Sequence, residues 1–348
     1  MRAIAAVAIV SVLAVLTGCG TRQRYRPLPA DSTAAVTADS IAGIAKSALD
    51  RWDSGSGEDA ARLSASLVLA DLRRVSPPEW ADRERAFLDS LAIGAEVGSA
   101  PGALLVNFFS RSDPDHGSWP YLFWTTDKGP RMQGLEGRDL RFTDLASRPG
   151  PGAQPATVAA LFTRRSGGGG QPIAFVWKAG AGGTFTLAQT LGPDSLGGAG
   201  SGDFSMRDTV LVLQTRTYRT IRGFNECATC PHVYATHVFE WTPAGFVRRG
   251  DEEAPSPYST FVRFVLALQA NDRELGTAQV TDASLWDQAR SFEWEKPKGS
   301  WRVAPSTDET AHEMTFLRGE KEAYKVSFEG RAGGWRISGI ESTTANVE

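Results

Sequence analysis

The chain has 348 residues, with 37 Lys and Arg against 40 Asp and Glu and a formal net charge of −3. This length allows two domains, and the absence of a basic cluster argues against a partner among nucleic acids or anionic surfaces. Thirty-six glycines, ten tryptophans and many short apolar runs indicate a turn-rich, mainly β protein with some α+β structure.

Residues 1–18 have the layout of a signal peptide. Arg2 is followed by an apolar run over residues 3–16, which is shorter than the about 20 residues that a membrane-spanning helix needs. The sequence LTGC, which ends at Cys19, resembles the lipobox of bacterial lipoproteins. That resemblance implies cleavage before Cys19, lipidation of this residue and attachment to a membrane through the acyl chains.

The residues after Cys19 indicate which membrane holds the protein and how its body is connected to that membrane. Gly20 stands where an Asp would favour retention in the inner membrane, so the resemblance implies the outer membrane, facing the periplasm. In a host with a single membrane, it implies the outer face of the cell membrane. Residues 20–40 are rich in small, polar and proline residues, which predicts a disordered tether. Together with the lipidated Cys19 that the resemblance implies, this segment covers residues 19–40.

A domain over residues 41–251 is predicted to begin with helices that cover an edge or a face of a sheet. Leu63, Leu67 and Ala70 keep rough helical spacing, and the two prolines at 77–78 interrupt the pattern.

The rest of this domain contains a threefold repeat. Three segments, LVNFFSR, VAALFTR and VLVLQTR, end at Arg111, Arg164 and Arg216. In each repeat a second strand ends in tryptophan and is followed by a turn and a third strand, which predicts a three-stranded antiparallel meander with the tryptophan in the core. Because a closed propeller has about 4 to 8 blades, a propeller-like arrangement and a sandwich both stay open.

The third repeat contains an insertion with two cysteines and nearby histidines. In an exported chain, Cys227 and Cys230 predict a local disulfide. His232 and His237 are candidate metal ligands, but strand alternation turns them to opposite faces, so we expect no metal and no cofactor. A thioredoxin-like pair would need a helix after the first cysteine, and the pattern after Pro231 is that of a strand. We expect residues 217–233 to form a protruding arm that contacts a partner protein in the cell envelope.

Residues 252–348 are predicted to form a second, α+β domain. Phe261, Phe264, Val265 and Leu268 lie on one face of a helix. A second helical stretch and three strand-like segments follow.

This order of helices and a curved sheet resembles the cone-shaped fold of the nuclear-transport-factor-2-like superfamily. A fourth meander beside the repeats is the competing interpretation. In the cone-shaped fold, the face shared by His312, Met314 and Phe316 lines a pocket, where His312 is a candidate general base. A histidine on a core-facing strand is the simpler interpretation.

The chain lacks the common motifs of nucleotide-binding, serine-nucleophile and zinc enzymes. The sequence therefore favours a lipid-anchored cell-envelope protein with a non-catalytic binding or assembly role, although catalysis stays open. One alternative is a periplasmic enzyme or small-ligand carrier with a pocket near His312. The other is a metal or thiol site at Cys227 and Cys230.

Overall fold

Four antiparallel sheets of four strands each form the framework of the part of the chain that the structure describes. The computed structural model describes residues 38–113, 117–137, 139–166, 169–207, 210–227, 230–304 and 310–343. The predicted signal peptide, Cys19 and nearly all of the predicted tether lie outside these residues. Within each sheet the strands follow one another in sequence order, so each sheet is a meander.

Three helices precede the first sheet, which confirms the prediction of helices at the start of this domain. These are α1 (Ala38–Asp53), α2 (Gly57–Leu72) and α3 (Trp80–Ser90), with a 3-10 turn at Pro77–Glu79 between the last two. Ser76, the residue before the first proline, has extended backbone, as the proline ring requires. The apolar faces of the helices pack on the first sheet, and Leu67, Val68 and Trp80 belong to one core with Leu104 and Phe108.

The first three sheets correspond to the predicted repeats. The first contains β1 (Gly94–Ala100), β2 (Ala103–Phe109), β3 (Ser118–Trp124) and β4 (Arg131–Gly134). The second contains β5 (Leu140–Pro149), β6 (Pro155–Ser166), β7 (Gly169–Ala179) and β8 (Phe185–Leu191). After the short helix α4 (Pro193–Leu196), the third contains β9 (Ala199–Arg207), β10 (Val210–Tyr218), β11 (Ala235–Thr242) and β12 (Gly245–Glu253).

The prediction of three strands in each repeat was wrong, because each sheet has an additional first strand. The aligned segments that end in arginine are the second strands, and the segments that end in tryptophan are the third. The first strands β1, β5 and β9 have the sequences GAEVGSA, LRFTDLASRP and AGSGDFSMR. Small and polar residues interrupt their apolar pattern, and this hides them from a search for apolar runs.

The tryptophans of the repeats fill the spaces between sheets, as predicted. Trp124 and Trp177 belong to the core between the first and second sheets, and Trp241 belongs to the core between the second and third. The middle sheet is covered on both faces: Val158 and Ala160 face one of these cores, while Ala159 and Leu161 face the other. Burial on both faces explains the continuous apolar run in β6.

Carboxylates also connect the first strands of neighbouring sheets. Glu96 on β1 accepts a hydrogen bond of 2.7 Å from the backbone N–H of Phe142 on β5. Asp144 on β5 accepts one of 3.2 Å from the backbone N–H of Phe204 on β9. The same kind of contact therefore joins β1 to β5 and β5 to β9, which keeps the first strands side by side.

The C-terminal part contains three helices and the fourth sheet, in the predicted order. Its elements are α5 (Pro257–Ala270), α6 (Arg273–Thr277), α7 (Ser284–Ser291), β13 (Trp301–Val303), β14 (Glu313–Arg318), β15 (Glu322–Arg331) and β16 (Gly334–Thr343). The four residues predicted to share one face of α5 are all at most 2% exposed. They pack in one core with Met314 and Phe316 of the sheet, so this meander is covered by helices. The domain boundary at residue 252 and the resemblance to the nuclear-transport-factor-2-like superfamily stay predictions.

Candidate functional site around the disulfide loop

The connection between β10 and β11, residues 219–234, packs against the C-terminal part. Phe224 is 4% exposed and meets Phe261 of α5 edge to face, with ring centroids 6.5 Å apart. The backbone N–H of Asn225 donates to the Trp301 carbonyl at 2.7 Å, and the Trp301 N–H donates to the Gly223 carbonyl at 2.8 Å. These contacts bury part of the predicted arm within the molecule, whereas Cys227 is exposed.

The predicted disulfide between Cys227 and Cys230 is present. The two Cα atoms are 5.0 Å apart, within the range that a disulfide spans, and the Cys230 N–H donates to the Cys227 carbonyl at 3.0 Å. Cys227 is exposed and Cys230 is partly buried. The exposed Cys227 therefore lies close in sequence to Phe224 and to the side chains of Glu226 and His232, which are buried.

Glu226, directly before the first cysteine, is the centre of a buried polar cluster. Its carboxylate accepts a hydrogen bond of 2.7 Å from the Tyr258 hydroxyl of α5 and lies 3.0 Å from Nδ1 of His232. The side chains of His232 and Glu226 are 2% and 3% exposed. Burial and, after it, the Glu226 carboxylate raise the pKa of Tyr258, which keeps its hydroxyl protonated as the donor.

The ring of His232 is held by stacking as well as by Glu226. It lies parallel to the Tyr218 ring, with centroids 3.5 Å apart. Its Nε2 atom is buried and has no hydrogen-bond partner among the described residues. Burial and Glu226 also raise the pKa of Tyr218. The arrangement pairs a carboxylate with an imidazole, but burial of both side chains offers a substrate little access.

His237 lies on β11 and takes part in a different cluster. Its Nδ1 atom is 2.9 Å from Asp251 Oδ1, and Arg248 contacts both residues. Hydrogen bonds from Arg248 and then from His237 lower the pKa of Asp251, which favours its carboxylate. Within the described residues, the structure places no three His, Cys, Asp or Glu side chains where they could hold a metal ion together.

His312 is exposed and lies just before β14. Its Nδ1 atom is 3.2 Å from the Phe328 carbonyl, and its ring meets Trp335 edge to face. Met314 and Phe316, which share its strand parity, are 1% and 0% exposed in the C-terminal core. The structure therefore places His312 at the surface end of a face that packs against helices.

A second buried polar cluster lies under the N-terminal helices. Glu84 on α3 is fully buried, and Asp71 on α2 accepts two hydrogen bonds, of 2.8 and 3.1 Å, from Arg83. Burial and the neighbouring Asp71 raise the pKa of Glu84 to about 9. Glu84 is therefore protonated at neutral pH, and its O–H is available as a donor towards Asp71. Arg83 also lines an open surface groove of about 560 Å³.

Sequence analysis missed Glu226, Tyr258 and the carboxyl pair. Glu226 is adjacent to Cys227 of the predicted disulfide, but its hydrogen-bond partner Tyr258 is 32 residues away in the sequence. No spacing rule connects a loop glutamate with a helical tyrosine. Asp71 and Glu84 lie on separate helices and resemble ordinary surface carboxylates in the sequence.

Comparisons with known proteins identify no family. No family model matches the chain, and no curated protein matches it. A mutant Aleuria aurantia lectin in complex with Fucalpha1-6GlcNAc matches with 10% identity and a TM-score of 0.26, over 73% of this chain and 62% of the lectin. A second structure of that lectin, described as a six-bladed β-propeller, gives 10% identity and a TM-score of 0.26, over 72% of this chain and 61% of the lectin. The chain thus spans less than two thirds of the lectin's length, and these low scores assign it no ligand.

Proposed function

We propose that this protein is a lipid-anchored cell-envelope protein with a non-catalytic binding or assembly role. The sequence LTGC, placed directly after the apolar run of residues 3–16, carries this proposal. Acyl chains on Cys19 hold the body at the outer membrane, facing the periplasm, with residues 19–40 as the tether. The disulfide between Cys227 and Cys230 suits such an oxidising compartment. Among the described residues, no helix is both long and apolar enough to cross a membrane.

The body that is anchored in this way is an open, propeller-like stack of three meanders. Two features support this arrangement: the first strands lie side by side through Glu96 and Asp144, and the middle sheet has a core on each face. Helices α1–α3 pack on the outer face of the first sheet, so the stack ends there and does not close into a ring.

The surroundings of the histidines favour binding over catalysis. His232 faces the buried Glu226, His237 faces Asp251 and Arg248, and His312 approaches a backbone carbonyl. A general base must reach the proton of a bound substrate. Because Nδ1 of each ring has a partner, only Nε2 could act as the base, and the side chains of His232 and His237 are buried, at 2% and 8% exposure.

Lipidation and sorting test the proposal directly. The full chain is expressed in a double-membraned bacterium that is supplied with an alkyne-bearing fatty acid. We expect the wild type to carry the label in the outer-membrane fraction, Cys19→Ala to lose it, and Cys227→Ala with Cys230→Ala to keep it. We expect Gly20→Asp to keep the label but to move to the inner membrane. A wild type without label, or label that survives Cys19→Ala, would overturn the anchor.

A further inference from the structure

The disulfide turn lies between the two residues that build the buried polar cluster. Glu226 directly precedes Cys227, and His232 follows Cys230 by two positions, so the disulfide closes the segment that separates them. With the turn closed, the Glu226 carboxylate lies 3.0 Å from His232 Nδ1. Reduction of the disulfide lets the segments on its two sides move independently. The contact between Glu226 and His232 must then offset more conformational entropy, so it is weaker in the reduced protein.

The same segment holds the C-terminal part of the molecule. Glu226 bonds to Tyr258 of α5, Phe224 enters the core beside Phe261, and the backbone on both sides of Phe224 pairs with Trp301. These contacts involve both the first C-terminal helix and the first strand of the fourth sheet. A loss of order at residues 223–226 would therefore weaken the connection between β10 and the C-terminal part.

Exposure differs between Cys227 and the side chains that surround the disulfide. Cys227 is exposed, whereas Phe224 and the side chains of Glu226 and His232 are buried. We therefore expect a thiol in solution to reach the disulfide at Cys227 without prior unfolding of the contacts around it. Exposed disulfides are more easily reduced than those enclosed in a core, and they are the ones that serve regulatory roles.

We propose that the Cys227–Cys230 disulfide is a redox-controlled clamp, which holds residues 223–226 against α5 and β13 when oxidised and releases them when an external dithiol reduces it. This role is independent of the lipid anchor. It also differs from a thioredoxin-like catalyst, because the cysteines regulate a contact of their own chain and transfer no electrons to a substrate.

The chemistry is ordinary thiol–disulfide exchange. A thiolate of the dithiol attacks Sγ of the exposed residue Cys227, the S–S bond breaks, and the electron pair leaves on Sγ of Cys230. The second thiolate of the dithiol then attacks the reagent's own sulfur in the mixed disulfide and releases Cys227 as a thiolate. The dithiol ends as a cyclic disulfide, the protein gains two electrons, and its cysteine thiolates take up protons from water according to pH.

Two backbone amides report on the clamp. The N–H groups of Asn225 and Trp301 form the hydrogen bonds on the two sides of the isolated parallel bridge between Phe224 and Trp301. For a disulfide that closes a loop of about four residues, the chain-entropy model changes the equilibrium between the ordered and the open segment by about 20-fold. We therefore expect hydrogen exchange at Asn225 and Trp301 to accelerate up to about 20-fold when the purified full chain is reduced with dithiothreitol.

The structure provides a matched control amide. The N–H of Thr281 donates at 2.8 Å to the Ile337 carbonyl beside another isolated parallel bridge, between Val280 and Ile337. We expect its exchange rate to be the same in both redox states. Acceleration at Asn225 and Trp301 without acceleration at Thr281 would support the clamp. Equal rates in the two states, equal acceleration of all three amides, or a disulfide that dithiothreitol opens only in the unfolded protein would overturn it.

Two variants separate the disulfide from the contacts that it organises. Cys227→Ser with Cys230→Ser should exchange rapidly at Asn225 with or without dithiothreitol. Glu226→Gln keeps the disulfide but weakens the bond to Tyr258, so it should exchange faster than wild type while oxidised. Slow exchange in the double serine variant would overturn the proposal. If that variant does not fold, the comparison of the oxidised and reduced wild type decides alone.

Discussion

Replacing the buried Glu84 with glutamine is expected to stabilise the protein at neutral pH. A glutamate in an unfolded chain has a pKa of about 4.3, whereas burial and Asp71 raise the pKa of folded Glu84 to about 9. Between these two values the folded state binds one proton that the unfolded state lacks. Stability is therefore highest below the unfolded pKa, and it falls as the pH rises towards the folded pKa, by about 1.4 kcal/mol per pH unit.

The free-energy cost of Glu84 at pH 7 follows from the difference between pH 7 and the pKa of a glutamate in the unfolded chain. Protonating Glu84 on folding opposes stability by about 3 to 4 kcal/mol at this pH. A glutamine never ionises and still has an N–H donor that can face Asp71, so Glu84→Gln is expected to recover much of this amount.

Urea denaturation at pH 5, 7 and 9 measures the effect. The free-energy difference between Glu84→Gln and wild type should increase with pH across this range. Glu79→Gln is the matched control, because Glu79 is exposed and lies in the short turn before α3. We expect a change within about 0.5 kcal/mol for the control. A difference between Glu84→Gln and wild type that does not grow with pH would refute the reasoning.

Three further substitutions test the packing between sheets and the turns. Trp177→Ala should lower the free energy of unfolding by about 3–5 kcal/mol, because Trp177 is 3% exposed between two sheets; a loss well under that range in urea denaturation would contradict its core position. Asp144→Ala removes the acceptor for a backbone N–H of the next sheet and should cost about 1–3 kcal/mol in the same assay, and an unchanged midpoint would show that this contact contributes nothing. Gly197→Ala should lower the thermal midpoint more than Gly223→Ala: both glycines have positive φ, of +96° and +92°, but only at position 197 would the new methyl group overlap the ring of His237. Equal losses for the two glycine variants would count against the predicted overlap.

Local signals in the sequence predicted a substantial part of the fold. The helical spacing of the apolar residues in α5 was sufficient to identify its buried face, because a helix that packs on one side repeats its apolar residues every three to four positions. The tryptophans at the ends of the third strands were correctly assigned to the core. Cys227 and Cys230 were correctly paired, since two cysteines separated by two residues can form a bond within one turn.

The first strand of each repeat was missed for a physical reason. Residues 94–100 and 199–207 contain glycines, serines and single carboxylates, and a continuous apolar run is absent from both. Their strand structure depends on pairing with the apolar second strand and, for β1 and β5, on the contacts that Glu96 and Asp144 make with the neighbouring sheet. Such contacts are tertiary, so the residue pattern of one segment does not contain them.

The sequence by itself determined the elements that depend on near neighbours: the helices, the apolar strands, the period of the repeat and the disulfide. Only the tertiary structure decided that Glu226 meets Tyr258 and His232, that Glu84 is buried beside Asp71, and that His312 is at the surface. The physical reason is that burial and the approach of distant charges set the state of a polar side chain. Both depend on how whole elements pack, and sequence spacing does not specify that packing.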